Sequence, residues 1–273
     1  MPKINFNWEN ILEMAKKIGI PKEKKRAIIR EYLQTQFLNY LYSQRKSFKL
    51  NFIGGTSLRL LYNLDRFSED LDFDNLGLSF SEIKKLFLNS IEKLEKQGFK
   101  TEFDFRKTNH SGIGRLKFVN LLSELEISNN PKEKLMIKLD YTTPKIKSKS
   151  ETLVLNRFGI IQNVVVADLS FILSQKIKAI LFRKDLQPRD FYDIVWLISQ
   201  NIEPDQNLLK SLKIKDENEA WQKILDCYKE KFKPNFKIYK QKLLPFLLNP
   251  EKVKYLDLFE KLIKTKLTKI NNF

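Results

Sequence analysis

The sequence predicts an α+β protein, in which an α/β domain with a mixed sheet is followed by a bundle of helices. Two observations lead to this prediction. Between residues 48 and 141, strand-like runs of alternating apolar residues are interspersed with amphipathic helices. From Asp168 onward the apolar residues recur almost only at helical spacing. We therefore expect two domains, residues 1–165 and residues 166–273.

The individual elements follow from the same periodicities. Two helices are expected in the first 45 residues, with a break at Gly19-Ile20-Pro21. The next elements are predicted to be the strand 48–53, the helix 56–64, the strand 71–73, the helix 80–97 and the strands 100–107, 115–127 and 135–141. In the second part, helices are predicted at 169–183, 189–199, 218–231, 236–248 and 252–269.

The chain is strongly basic, with 50 Lys and Arg against 33 Asp and Glu and a net charge of +17. The excess is spread along the chain, since the segment from Asn201 onward contains 16 Lys and 10 acidic residues. A broad positive field favours encounter with nucleic acid and nucleotide phosphates. A Lys-rich composition with solvated helix faces explains the charge equally well, so charge indicates a partner only together with a site.

Other classes of protein are excluded by composition. The single cysteine (Cys227) and the single histidine (His110) rule out an internal disulfide framework and sites rich in Cys or His. No apolar run approaches the roughly 20 residues of a membrane span. We therefore expect a cytoplasmic protein with no membrane association. The loop around His110 contains two glycines, but it lies between two predicted strands, which is typical of a hairpin.

A glycine turn gives the first sign of a site. Gly54 and Gly55 follow a predicted strand and precede a predicted helix, where backbone N–H groups can approach a polyphosphate closely. Thr56 and Ser57 would add hydroxyl donors at the same helix N-terminus. A turn of this kind is common, so it becomes specific only with the carboxylates that follow.

Asp70 and Asp72 lie two residues apart in a strand-like run, so both side chains are expected on one face of the strand. Two carboxylates on one face repel each other unless a cation lies between them. Magnesium meets this need, because it takes hard oxygen ligands and bridges carboxylates to substrate phosphates. An exposed acidic strand face is the alternative explanation.

A third carboxylate would complete a site for two metal ions. Asp140, at the end of a later predicted strand, is the candidate, because the apolar alternation of that strand places it opposite the core. Glu124 and Glu126 show the same alternation and are rival candidates.

These motifs resemble the nucleotidyltransferase fold of the DNA polymerase β superfamily and, more narrowly, the AbiEii/AbiGii toxin family of nucleotidyltransferases. The matching stretches are GGTSLRL at residues 54–60 and RFSEDLDF at residues 66–73. A second block, residues 173–194, resembles a helical motif of that family. Its matching positions are Lys176, Ala179, Arg183, Arg189, Asp190 and Asp193.

The resemblance implies a magnesium-dependent enzyme that moves a nucleoside monophosphate from a nucleoside triphosphate (NTP) to an acceptor, with two Mg²⁺ ions during catalysis. It implies RNA as the acceptor, in particular the 3′ end of tRNA, and a cognate antitoxin within a toxin–antitoxin or abortive-infection system. Two alternatives stay open at this point. One is transfer to a protein hydroxyl, and the other is a catalytically silent module that binds nucleotides or nucleic acid.

The predicted catalytic residues are Asp70, Asp72, Asp140 and Lys176, of which the three acids are also the predicted metal ligands. The predicted nucleotide-binding residues are Gly54, Gly55, Thr56, Ser57, Arg66, Ser68, Lys176, Arg183 and Asp190. Lys176 and Arg183 would face the triphosphate, or else form a salt-bridge cluster that only fixes two helices. Arg66 and Ser68 would position a phosphate or only stabilise their turn.

Overall fold

The computed structural model describes residues 7–270, with side chains to residue 268. The chain divides into two compact units, Met1–Val166 and Ala167–Phe273. That residues 1–165 and 166–273 fold as independent domains stays a prediction. No helix in the described part of the chain combines the length and the apolar character needed to span a membrane.

The first unit is built on a mixed sheet of seven strands. The strands are β1 (Leu50–Ile53), β2 (Leu71–Asn75), β3 (Thr101–Lys107), β4 (Ser111–Phe118), β5 (Leu135–Thr142), β6 (Ser150–Arg157) and β7 (Ile160–Ala167). Their order is β3-β4-β5-β2-β1-β7-β6. β1 pairs with β2 antiparallel, whereas β2 pairs with β5 parallel. With the helical second unit, this sheet confirms the predicted fold class.

Five α-helices accompany the sheet: α1 (Trp8–Lys17), α2 (Lys25–Tyr42), α3 (Gly54–Tyr62), α4 (Phe80–Lys96) and α5 (Leu121–Glu124). α4 begins where its sequence predicts, because Ser79 and Glu82 form a capping box in which each side chain bonds the other residue's backbone N–H. The apolar stripe of α4, including Phe87, is buried. Phe87 packs against Phe73 of β2, with ring centroids 5.9 Å apart.

Three strand predictions need correction. The strand predicted at 115–127 ends at Phe118, because Asn120 adopts a left-handed conformation (φ 62°) and turns the chain into α5. The strand predicted to begin at Phe48 begins at Leu50, since residues 45–49 form a 3₁₀ helix. The hairpin of β6 and β7 was not predicted; the first of these strands is largely exposed and polar, so its apolar signal is weak.

The second unit is helical, as predicted. Its α-helices are α6 (Leu169–Phe182), α7 (Pro188–Ser199), α8 (Gln206–Ser211), α9 (Glu217–Cys227), α10 (Phe236–Leu243) and α11 (Phe259–Ile270). Its core contains the fully buried side chains of Phe191, Trp221, Phe232 and Phe259. Three predicted helices are shorter than expected, those at 218–231, 236–248 and 252–269. The second of them ends at Leu243 and is followed by a 3₁₀ helix at Leu244–Phe246. The first gives way to a π turn at Tyr228–Phe232, and the last is preceded by a 3₁₀ helix at Pro250–Leu258.

Candidate functional site

The glycine turn follows β1 directly, and Gly54 and Gly55 are the first two residues of α3. The helix predicted at 56–64 thus begins and ends two residues earlier. Gly54 has a φ of +81°, a conformation that favours glycine. A β-carbon on Gly54 would stand 2.7 Å from Asp72 Oδ2, and one on Gly55 would stand 2.5 Å from Arg66 Nη2. Both glycines therefore allow a close approach between the turn and the segment that carries the acids.

The hydroxyl groups of the turn face the protein. Thr56 Oγ1 donates to the carbonyl oxygen of Asp70, and Ser57 Oγ donates to the carbonyl oxygen of Gly54 at 2.8 Å. Both residues are completely buried. These bonds fix the turn and the start of β2, and a nucleotide-binding role for Thr56 and Ser57 stays a prediction. The backbone N–H groups of the first turn of α3 remain the groups suited to an anion.

Arg66 and Ser68 lie beneath the same turn. Arg66 is only 2% exposed and donates from Nη1 to the carbonyl oxygen of Phe67 at 2.9 Å. Ser68 is half-buried, and its Oγ would stand 3.0 Å from a β-carbon on Gly55. Of the two roles considered for Arg66, this position supports stabilisation of the turn. A nucleotide-binding role for Arg66 and Ser68 stays a prediction.

Strand pairing brings two of the predicted acids, Asp72 and Asp140, side by side. Asp72 and Asp140 are register partners on the parallel strands β2 and β5, so their side chains share one face of the sheet. The rival acids are elsewhere, since Glu124 ends α5 and Glu126 lies in the following turn with a φ of 53°. Among the three candidates for the third carboxylate, only Asp140 therefore stands beside Asp72.

The surroundings of Asp140 disfavour the ionised form of its carboxyl. Burial raises the pKa of its carboxyl, and the negative charge of Asp70 raises it further. The positive charge of Lys138, a hydrogen bond from the backbone N–H of Gly114 and the positive charge of Arg115 partly oppose this shift of the pKa, because each favours the carboxylate. Asp140 Oδ1 is buried without a hydrogen-bond partner among the described residues. A buried, unsatisfied carboxylate oxygen is costly unless a cation or another donor reaches it.

The donor set fits magnesium in its chemistry. It consists of carboxylate oxygens, which Mg²⁺ prefers, and has none of the Cys or His ligands typical of zinc. Within residues 7–268, no three His, Cys, Asp or Glu side chains are already arranged to hold a metal ion. Asp70, Asp72 and Asp140 therefore stay predicted ligands, and the unpartnered Asp140 Oδ1 is the observation that supports them.

The basic block of the second unit forms a salt-bridge cluster. Lys176 Nζ of α6 lies 2.9 Å from Asp190 Oδ1 and 2.8 Å from Asp193 Oδ2 of α7. Arg183 Nη1 lies 2.6 Å from Asp190 Oδ2. Asp193 is fully buried, so Lys176 supplies a charge that it needs. The cluster fixes α6 on α7, and a nucleotide role for Lys176, Arg183 and Asp190 stays a prediction.

A second buried ion cluster was missed at the sequence level. Glu31 of α2 accepts from Arg59 Nε of α3 at 2.9 Å and from Arg157 Nη1 of β6 at 3.0 Å. Arg59 Nη1 also donates to Leu64 O, and Arg157 Nε donates to Leu60 O, each at 3.0 Å. The two guanidinium groups thus satisfy carbonyl oxygens at the C-terminal end of the helix that begins at the glycine turn.

A helix led by two glycines on a mixed sheet, with carboxylates on neighbouring strands, defines this protein as a nucleotidyltransferase. The chain belongs to the AbiEii family, because the sequence model described as "Nucleotidyl transferase AbiEii toxin, Type IV TA system" matches residues 37–262. A search of curated proteins found no match.

Two solved structures from Helicobacter pylori have a similar fold. JHP933 has a TM-score of 0.53 and 21% identity, covering 90% of this chain and 95% of its own. A protein described as a candidate nucleotidyltransferase has a TM-score of 0.54 and 21% identity, covering 89% of this chain and 97% of its own. At this identity the likeness establishes the fold.

Proposed function

We propose that this toxin-family nucleotidyltransferase depends on magnesium and transfers a nucleoside monophosphate from an NTP to RNA, with the 3′ end of tRNA as the acceptor. The observation that carries the proposal is the pairing of Asp72 with Asp140, whose Oδ1 is buried and unsatisfied. The basic character of the chain supports a polyanionic acceptor. Membership of a type IV toxin family supports a cognate antitoxin as a partner.

The proposed reaction is an in-line displacement at phosphorus. An acceptor hydroxyl oxygen forms a bond to the α-phosphorus of the NTP, and the bond from that phosphorus to the oxygen bridging to the β-phosphate breaks. Pyrophosphate leaves with the electron pair of the broken bond, and the hydroxyl proton is released. Because phosphoryl transfer needs little covalent chemistry from the protein, the residues mainly position the reactants and stabilise charge.

The proposal assigns a task to each part of the site. The backbone N–H groups at Gly54 and Gly55 receive the terminal phosphates at the positive end of α3. Asp70, Asp72 and Asp140 hold Mg²⁺, which when bound neutralises phosphate charge and favours the ionised acceptor hydroxyl. Asp140 also orients that hydroxyl from the β5 side of the site.

A labelling experiment tests this function. The protein is incubated with total RNA, a cell lysate and each radiolabelled NTP in turn, with magnesium or with EDTA. We expect label on RNA of tRNA size with magnesium only. Label on a polypeptide would identify a protein hydroxyl as the acceptor. Nucleotide binding without any transfer would identify a silent binding module.

Matched variants connect the labelling to the site. Asp72→Asn and Asp140→Asn should each lower transfer by at least about a hundredfold, the scale expected when a group that stabilises the transition state is removed. Asp226→Asn makes the same change on α9, where the carboxylate accepts only a surface bond from Gln222. That control should keep full activity. Full activity in both site variants would reject the proposed metal site.

A further inference from the structure

The face of the sheet that carries Asp140 continues onto β4 as a basic surface. Ile113 of β4 is the register partner of Asp140, and Arg115 is the partner of Lys138. Because residues two apart on a strand share a face, Arg115 and Lys138 form the next row along that face from Asp140.

The acids that face this surface from β3 pair with other cations. Asp104, opposite Arg115, pairs with Arg106, and Glu102, opposite Lys117, pairs with Lys134. Neither the Arg115 nor the Lys138 side chain forms an ion pair or a hydrogen bond with any residue that the structure describes. Neighbouring charges on the same sheet do find partners, such as Arg106 Nε with Asp104 Oδ2 at 3.1 Å. Like charges directly opposite each other on paired strands destabilise a sheet. Because Arg115 and Lys138 form no ion pair or hydrogen bond with a described residue, their side chains are available to an external anion beside Asp140.

The order of the strands separates this anion from the proposed nucleotide phosphates. The glycine turn follows β1, on one side of β2, while β5 and β4 lie on the other side. Asp72 on β2 thus has the turn at Gly54 to one side and Asp140 with Lys138 to the other. An anion at Arg115 and Lys138 consequently lies on the side of the acceptor, away from the phosphates of the NTP.

We infer that Arg115 and Lys138 bind the phosphodiester backbone of the RNA acceptor, directly behind its reacting hydroxyl. The surface has further features that suit a single strand. Lys117 continues the positive surface in the next row, opposite Met136. Ile113 and Met136 are 42% and 37% exposed and offer apolar contacts to a ribose or a base. This inference rests on the proposed function, because it names the binding residues for its acceptor.

A binding measurement tests the inference without relying on activity. Fluorescein-labelled single-stranded RNA is titrated with the full chain in EDTA over a range of salt concentrations. The double variant Arg115→Gln/Lys138→Gln should bind roughly tenfold or more weakly than the parent protein. The slope of log K against log salt should fall in magnitude by about 1.4, since each phosphate contact to a single strand contributes about 0.7.

The matched control removes two charges elsewhere in the same unit. Lys85→Gln/Lys93→Gln changes two exposed lysines of α4 that form no ion pair with any residue the structure describes. It should bind RNA with nearly the affinity and salt slope of the parent. Because Arg115 and Lys138 make no internal side-chain bonds, their double variant should melt within a few degrees of this control.

Steady-state kinetics separate the acceptor from the nucleotide. In the double variant the KM for RNA should rise roughly tenfold, whereas the KM for the NTP should stay unchanged. Equal RNA affinity, salt slope and acceptor KM in the two double variants would overturn the inference. A rise confined to the KM for the NTP would overturn it as well. If the parent protein labels no RNA, the proposed function itself fails, and the binding titration then decides separately whether this surface binds RNA.

Discussion

The carboxylate of Asp72 lies so close to Gly54 that a β-carbon on the glycine would stand 2.7 Å from Asp72 Oδ2. We therefore predict that Gly54→Ala displaces the carboxylate and lowers transfer at least tenfold, because small misplacements of catalytic groups cost large factors in rate. It should also destabilise the protein by about 1–2 kcal/mol, since alanine is strained at positive φ. Labelling kinetics and urea unfolding measure the two effects.

Gly19 provides the control for this substitution. Its φ of +79° nearly equals that of Gly54, but a β-carbon there would meet nothing within 4 Å. Gly19→Ala should show the backbone cost alone and keep its transfer activity. Equal activity losses in both variants would attribute the effect to backbone strain and not to contact with Asp72.

The environment of Asp140 predicts that its negative charge lowers the stability of the folded protein, although the proposed mechanism needs that charge for activity. Its pKa is raised in the folded protein above the ordinary value of 3.8, so the folded state holds this proton more tightly than the unfolded state. Stability therefore falls as pH rises through the interval between these two pKa values, and the cost is fully present at neutral pH. Asp140→Asn should consequently raise the free energy of unfolding at pH 7 while it abolishes transfer.

Urea unfolding in EDTA at pH 7 and at pH 3.5 measures the difference in free energy of unfolding between Asp140→Asn and its parent. The gain in stability should be present at pH 7 and largely lost at pH 3.5, where the carboxyl is mostly protonated in both states. Magnesium should raise the melting temperature of the parent protein and have less effect on Asp140→Asn. A variant that is less stable than its parent at pH 7 would contradict the assigned environment of Asp140.

Two roles were considered for Lys176, a structural one and a nucleotide-binding one, and a pair of variants distinguishes them. Lys176→Met removes the ammonium group that lies 2.8 Å from the buried carboxylate of Asp193, so we predict a loss of stability of about 3–5 kcal/mol. The double variant Lys176→Met/Asp193→Asn removes both charges and should recover most of that loss. Calorimetry in the absence of nucleotide measures the recovery.

The affinity of the same double variant for NTP then assigns the role. A contact between Lys176 and the triphosphate predicts an affinity that stays roughly tenfold or more below the parent value, even though folding is restored. Parental NTP affinity in the refolded double variant would assign Lys176 to the fixing of α6 on α7 alone.

The cluster of Glu31, Arg59 and Arg157 predicts a strong dependence of folding on one carboxylate. Glu31→Gln leaves two buried guanidinium groups without an anion and should cost about 3–5 kcal/mol. Glu92→Gln breaks an exposed pair with Lys96 on α4 and should cost less than about 0.5 kcal/mol. Chemical unfolding compares them, and similar small losses would show that solvent reaches the buried cluster.

The sequence predicted the elements whose signals are local. The glycine turn, the capped helix α4 and the acids Asp70 and Asp72 at the start of β2 depend on residues that are neighbours in the chain. By contrast, Asp140 could not be distinguished from Glu124 and Glu126, because all three fit the same alternation. Two features of the structure distinguish Asp140 from these rivals: the left-handed turn at Asn120 and the pairing of β5 with β2. Neither feature can be read from the alternation of apolar residues.

Local sequence patterns also could not show which partners the side chains of the site would have. A hydroxyl at a helix N-terminus suits a phosphate or a backbone carbonyl equally, so the sequence did not show that Thr56 and Ser57 bond the carbonyl oxygens of Asp70 and Gly54. Arg115 and Lys138 lie 23 positions apart in the chain, and only their strand register makes them neighbours. Long-range pairing, which sequence periodicity does not encode, therefore decides which charges share a face.

The shared carboxylate of Glu31 has an evolutionary consequence. Glu31 is 28 residues from Arg59 and 126 residues from Arg157 in the chain, yet it bonds both. A relative that loses the acid must lose both arginines as well, or find another anion, because any partial change buries an unmatched charge. Across homologues these three positions should therefore covary as one unit.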